Sequence, residues 1–163
     1  MPKVSQLLVS IGEQQLYVQD EQRNILRQYP VSTSKYGTGN HDGSFQTPLG
    51  KHCIREKIGD QAAVDEVFIG RQAQGRLAQL QANATALPED IIMARILWLQ
   101  GLEPGVNQGD DVDSYRRYIY IHGTSEEDSI GTPASHGCIR MRNRDVIELY
   151  DLVDIDCAVL IEP

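Results

Sequence analysis

One short stretch carries side chains able to do covalent chemistry together. It runs from Tyr118 to Met141, YIYIHGTSEEDSIGTPASHGCIRM, and holds two of the four histidines and one of the three cysteines. A thiol is the strongest neutral-pH nucleophile among side chains once its proton is gone, and a neighbouring imidazole can take that proton. His122 ends an alternating run, Tyr118-Ile119-Tyr120-Ile121, which reads as a strand. Cys138 lies in the turn-rich segment Ser135-His136-Gly137-Cys138-Ile139-Arg140. Two anchored pieces joined by a polar loop can bring the two together. The expected chemistry is attack of the Cys138 thiolate on a carbonyl, with His122 as base.

His122-Gly123-Thr124 followed by Ser135-His136-Gly137-Cys138-Ile139-Arg140-Met141 resembles the signature of the L,D-transpeptidase catalytic domain (YkuD-type) family, in its arginine-containing branch. Thr47-Pro48-Leu49-Gly50 is a second matching element upstream, and the likeness runs roughly from Leu7 to Ile161. Members of that family are cysteine acyltransferases acting on peptidoglycan stem peptides. The resemblance implies that Cys138 attacks the carbonyl of the third, L-configured stem residue, and that His122 later protonates the departing D-amino acid. No Asp or Glu stands at a spacing that would orient His122, and the resemblance gives that role to the Gly123 carbonyl. Backbone N–H groups around Gly137 and Cys138 are the candidate oxyanion hole.

The remaining candidates each have two readings. Arg140 either clamps a substrate carboxylate in two places or forms an ion pair with an Asp or Glu. Ser135 and His136 either touch substrate or hold the turn by local hydrogen bonds. Tyr120 is either a wall of the substrate site or strand packing. Trp98 reads as core, and Arg95, set in an apolar strand, needs a partner and is a candidate to face the cleft. His122, His136 and Cys138 could formally ligate zinc, but no further Cys or His lies at a chelating spacing. The expectation is therefore no metal and no cofactor. A module that only bound murein fragments would need neither Cys138 nor His122.

The elements that position these residues read as mainly β. The 163 residues, with 40% apolar content, 14 Gly and 7 Pro, suit one turn-rich domain spanning 1–163. Strands are expected at Val4–Ser10 and Gln14–Gln19 around a Gly12-Glu13 turn, at Ile25–Thr33 with Pro30 marking an edge, and at His52–Ile58 and Val67–Ile69. Ile91–Leu99 and Cys157–Ile161 complete the set, with a polar loop over Ser34–Gly50. Arg71–Ala86, interrupted by Gly75, reads as loop with a possible helical turn. One clear helix follows the catalytic stretch, capped by Asn143, with Val146, Ile147, Tyr150 and Val153 on its inner face. The expected architecture is an antiparallel β-sandwich or partly closed barrel with one C-terminal helix, as the resemblance also implies.

A net charge of −8 argues against nucleic acid and anionic membrane partners. The N-terminal MPKVSQLLVSIGEQQLYV is broken by Ser10 and Gly12, too short an apolar run for a secretory signal, and the odd cysteine count fits a reducing compartment. Cys53 and Cys157 read as small strand residues rather than reactive thiols. These features point to the cytoplasm unless a leader has been lost. They also point to soluble muropeptides as substrate, with water as acceptor. The expected reaction is then that of an L,D-carboxypeptidase releasing terminal D-alanine in murein recycling, with L,D-transpeptidation as the alternative.

Overall fold

The computed structural model describes residues 2–163, and its strands join one ten-stranded curled sheet. The strands are β1 (Gln6–Ser10), β2 (Gln15–Gln19), β3 (Ile25–Pro30), β4 (Gly50–Ile58), β5 (Glu66–Ile69), β6 (Gln72–Arg76), β7 (Ile92–Gly101), β8 (Tyr120–Thr124), β9 (Ile139–Met141) and β10 (Ala158–Glu162). Helix α1 is Leu77–Ala82 and helix α2 is Asn143–Leu152. The main path of the sheet runs β3-β2-β1-β10-β4-β7-β5-β6, and β8 and β9 branch from β7.

Alternation explains the first layers. In β1 and β2, Leu7, Val9, Leu16 and Val18 are all fully buried, and the register pairs Leu7 with Val18 and Val9 with Leu16. β10 runs parallel to β1 and sets Val159 beside Leu7 and Ile161 beside Val9, so both ends of the described chain close one core face. Burying each such side chain contributes roughly 1.5–3 kcal/mol. β3 is one edge of the sheet and ends on Pro30, which has no N–H to add to a ladder.

β7 is the hub, with β4, β5 and β8 all pairing with it. Its residues from Met93 to Leu99 are buried, which accounts for the run IMARILWL, apolar except for Arg95. A bulge between Met93 and Ile96, with Ala94 at φ 69°, shifts the β7–β8 register partway along a strand whose three neighbours all run antiparallel to it. α2 covers the β7–β8 side with Val146, Leu149 and Tyr150.

The mainly β, mainly antiparallel expectation holds, with two corrections. Two strand pairings are parallel, β1 with β10 and β8 with β9, and the rest are antiparallel. Arg71–Ala86 contains strand β6 and the six-residue helix α1, packed by Leu80 alone among buried residues. Asn143 does not cap α2, since Arg142 occupies that position. Asn143 instead turns inward, its Oδ1 accepting the Thr124 N–H at 2.8 Å, while Glu127 Oε2 accepts the Asn143 N–H at 2.8 Å. A buried carboxamide satisfying a strand end outweighed its local capping preference.

The parallel β8–β9 pair has a consequence for chemistry. Parallel neighbours cannot be joined by a tight turn. The chain must travel back through residues 125–138, and that return loop delivers Ser135–Cys138 to the start of β9.

Candidate active site

Register sets the geometry. Ile121 pairs with Ile139, His122 with Arg140 and Gly123 with Met141. Ile121 and Ile139 are fully buried in the main core, so His122 and Arg140 share the opposite face. Cys138 stands one residue before β9, at the open end of this pair. There the Tyr120 N–H donates to Cys138 Sγ at 3.4 Å, and the thiol donates to the Tyr118 carbonyl at 3.3 Å. The sulfur occupies the place where backbone would otherwise continue the ladder.

His122 is fully buried. Its Nδ1 hydrogen-bonds the Gly123 carbonyl, the position the resemblance assigns to that oxygen. This fixes the proton on Nδ1 and leaves Nε2 as the basic nitrogen. Nε2 is buried with no hydrogen-bond partner. Gly123 is required for close approach, because a Cβ there would meet Asn143 Oδ1 at 2.2 Å and the Met93 carbonyl at 2.5 Å.

Burial pushes the Cys138 thiol up to about 12, against the opposing pull of the Tyr120 N–H, and burial also lowers the His122 imidazole. Both groups are therefore neutral at rest near pH 7. Alkylation of Cys138 by iodoacetamide is expected to keep accelerating through about pH 9–10 as thiolate forms. A plateau reached below pH 7 would reveal a preformed thiolate–imidazolium pair instead.

Arg140 requires a correction. Its side chain is 2% exposed; Nη2 contacts Asp90 Oδ1 at 2.8 Å and Nη1 contacts Glu126 Oε2 at 2.9 Å. No face of the guanidinium is open to a substrate carboxylate, so the ion-pair reading fits and the clamp does not. Asp90 also lies 3.8 Å from His136 Nδ1, tying the turn before Cys138 to the same carboxylate. Arg140→Ala is expected to destabilise the protein by about 1–3 kcal/mol in urea denaturation. That is below the 3–5 of a fully buried pair, because Asp90 and Glu126 remain part-exposed. A loss of under half that would mean the network carries little.

Ser135 is fully buried; its Oγ donates to the Cys138 carbonyl at 2.6 Å and accepts the Gly137 N–H at 3.2 Å, which is turn-holding geometry. Gly137 adopts φ 129°, and Thr47 Oγ1 donates to its carbonyl at 3.0 Å. Of the proposed oxyanion donors, the Gly137 N–H is thus already engaged by Ser135. His136 is part-exposed beside Tyr36 and Phe45, with ring centres 6.2 and 6.5 Å away. Tyr120 is 5% exposed and packs edge-on to Trp98, so its ring is mostly strand packing. Trp98 is core-like and stacks on Tyr115 at 4.2 Å. Arg95 does not face the cleft: it is buried, bonded to the Ala62 and Ala94 carbonyls and set over Tyr150. Cys53 and Cys157 are free thiols in or beside β4 and β10.

A cavity of about 150 Å³ opens at Cys138, lined by Asp42, Gly43, Phe45, Arg117, Ile119 and His136. Arg117 was not legible from the sequence. It lies outside the motif and reaches the site only because the 34–50 loop folds over it, giving Nη2 the Gln46 carbonyl at 2.6 Å and Nη1 the Gly39 carbonyl at 3.3 Å. Asp90 and Glu126 likewise sit in loops with no local signal. Among the described residues, no three His, Cys, Asp or Glu side chains converge as a metal site, and no helix is long and apolar enough to cross a membrane.

A histidine with one nitrogen held and one free, beside a cysteine on the same strand pair of a curled sheet, is the arrangement of a cysteine enzyme. The model of the L,D-transpeptidase catalytic domain family, YkuD, matches residues 5–161, and the chain belongs to that family. The Bacillus licheniformis protein carrying the L,D-transpeptidase name YkuD is 48% identical over 48 residues, 29% of each chain. The matched stretch thus spans less than a third of that curated relative. An L,D-transpeptidase structure from Mycobacterium smegmatis aligns with 96% of this chain and 58% of its own, with a TM-score of 0.54 at 20% identity. L,D-transpeptidase 3 from Mycobacterium tuberculosis, solved with a faropenem-derived adduct, aligns with 99% of this chain and 61% of its own, with a TM-score of 0.57 at 15% identity. These structural likenesses concern the fold.

Proposed function

We propose that this protein transfers an acyl group from the L,D-peptide bond of a peptidoglycan stem tetrapeptide, with Cys138 as nucleophile and His122 as base. The observation that carries this is His122 Nε2, buried and without a partner two residues along the strand pair from Cys138, where alternation puts both on one face. A buried basic nitrogen left unpaired costs stability, and a thiol proton is the partner within the site that would satisfy it. The Cys138 thiol turns from the Tyr118 carbonyl to Nε2 and gives up its proton. The sulfur bonds to the carbonyl carbon of the third stem residue, the C–N bond to the terminal D-alanine breaks, and the imidazolium returns its proton to the leaving nitrogen.

The resulting thioester is resolved by an amine or by water. An amine makes the protein an L,D-transpeptidase, the name its relatives carry, and this is the acceptor we propose first. Water makes it an L,D-carboxypeptidase, the outcome suited to soluble muropeptides in the cytoplasm. Incubation with a tetrapeptide, with and without an added D-amino acid, followed by mass spectrometry of protein and products, tests both. An acyl adduct on Cys138 with exchanged or dimeric peptide supports transpeptidation, and tripeptide plus D-alanine alone supports hydrolysis. The absence of any adduct or product would sink the acyl-transfer reading.

A further inference from the structure

The motif's arginine is buried, yet the protein presents another arginine, with most of its donors free, against the two tyrosines whose backbone holds Cys138. Arg71 sits at the tip of the β5–β6 hairpin, whose register pairs Ile69 with Gln72 and leaves Gly70-Arg71 as the turn. Both turn residues have positive φ, 55° and 66°. A two-residue hairpin of this kind favours Gly or Asn, and a long side chain there is held against a steric cost. The guanidinium carbon lies 4.8 Å from the Trp98 ring centre and 5.3 Å from that of Tyr118, and Nη1 donates to the Tyr120 hydroxyl at 3.0 Å. Of five N–H donors, that is the one bond made to a side chain. Arg71 enters no ion pair among the described residues, although the chain carries a net charge of −8.

The same two tyrosines hold the nucleophile. Tyr118 supplies the carbonyl that accepts the Cys138 thiol, and Tyr120 supplies the N–H to its sulfur. An aromatic-stacked guanidinium is rigid and weakly hydrated, and its planar fork matches a carboxylate. The geometry points to Arg71 as the carboxylate-recognition residue of the substrate site, taking a free carboxylate of the acyl-donor peptide. Strain at its φ, stacking on two rings and free donors next to the tyrosines that hold the nucleophile all follow from that role. A brace for Tyr120 would require only the Nη1 bond. The inference rests on the proposed reaction for the identity of the peptide, not for the existence of the site.

Trp98 is the sole tryptophan and lies under the guanidinium, so binding can be read without turnover. In Cys138→Ala protein, titration with stem tetrapeptide is expected to change Trp98 fluorescence. Adding Arg71→Ala should weaken that binding roughly 10- to 150-fold, and Arg71→Lys should restore part of it. A tetrapeptide carries more than one carboxylate, and amidating them one at a time identifies the one bound: its amide should bind weakly and equally to both proteins. Arg71→Gly should melt at or above the parent temperature, because the backbone strain is relieved. Equal weakening by Arg71→Ala on the free acid and on every amide, no weakening at all, or no Trp98 response to the free acid would overturn the site. Tight, Arg71-dependent binding without any acylation of Cys138 in the parent enzyme would overturn the reaction and leave the site standing.

Discussion

Cys138→Ala protein is expected to lose at least about 10,000-fold in turnover of a stem tetrapeptide while folding as the parent does. The sulfur is the atom to which the acyl group bonds, and no other thiol can replace it. Cys53 is buried in β4 and Cys157 precedes β10, both on the far side of β7 from the β8–β9 pair. The structural loss is small by contrast: one sulfur and two long contacts, at 3.3 and 3.4 Å. A stability change within about 1 kcal/mol follows. Mass spectrometry gives the sharper reading. An adduct of the acyl group should appear on the parent protein and vanish in the variant. Release of D-alanine by Cys138→Ala at near the parent rate would remove the thiol from the mechanism and call for an activated water.

His122→Ala should slow acylation of Cys138 roughly 100- to 10,000-fold, the usual contribution of a positioned general base. The environment makes the imidazole more necessary here than in an exposed site. With the thiol held up to about 12, the thiolate fraction at pH 7 is negligible without a local acceptor. Burial lowers the His122 pKa below its usual value, so the ring is neutral and able to accept a proton at pH 7. Acylation should therefore fall only as pH drops through that lowered pKa, and alanine at 122 should abolish this acid limb. His136→Ala should cost less, because His136 is a wall of the cavity tied to Asp90 and the turn rather than the base for the thiol. Single-turnover acylation with both variants decides the ranking. A larger loss for His136 than for His122 would exchange their roles.

Arg117 and Arg71 show how far the motif could carry a reading of the site. Arg140 stands two residues from the nucleophile in sequence, and proximity along the chain made it the obvious carboxylate clamp. In the fold that spacing places it beside His122 on the buried part of the strand pair, where Asp90 and Glu126 neutralise it. The arginine that lines the Cys138 cavity, Arg117, comes from the segment before β8, and Arg71, which stacks on Tyr118, comes from a hairpin tip. Neither has a neighbour in sequence that would reveal its destination.

The sequence by itself determined what is local. Alternation over Leu7–Val9 and Leu16–Val18, the apolar run of β7 and the i, i+3, i+4 pattern of α2 each record which face meets the core, and burial enforces that face wherever the segment ends up. The Ser-His-Gly-Cys turn was legible for the same reason: its hydrogen bonds, Ser135 to the Cys138 carbonyl and the Gly137 N–H to Ser135, span three residues or fewer. Only the tertiary structure decided the parallel pairings, because strand direction depends on where the connecting chain returns rather than on the strand's own residues. The fates of the polar groups were decided there too. Whether Asn143 caps a helix or satisfies a strand end, and whether an arginine meets acid or substrate, depends on groups up to 50 positions away, such as Asp90 for Arg140. Electrostatics and hydrogen bonding act through space, and the chain's order does not encode that distance.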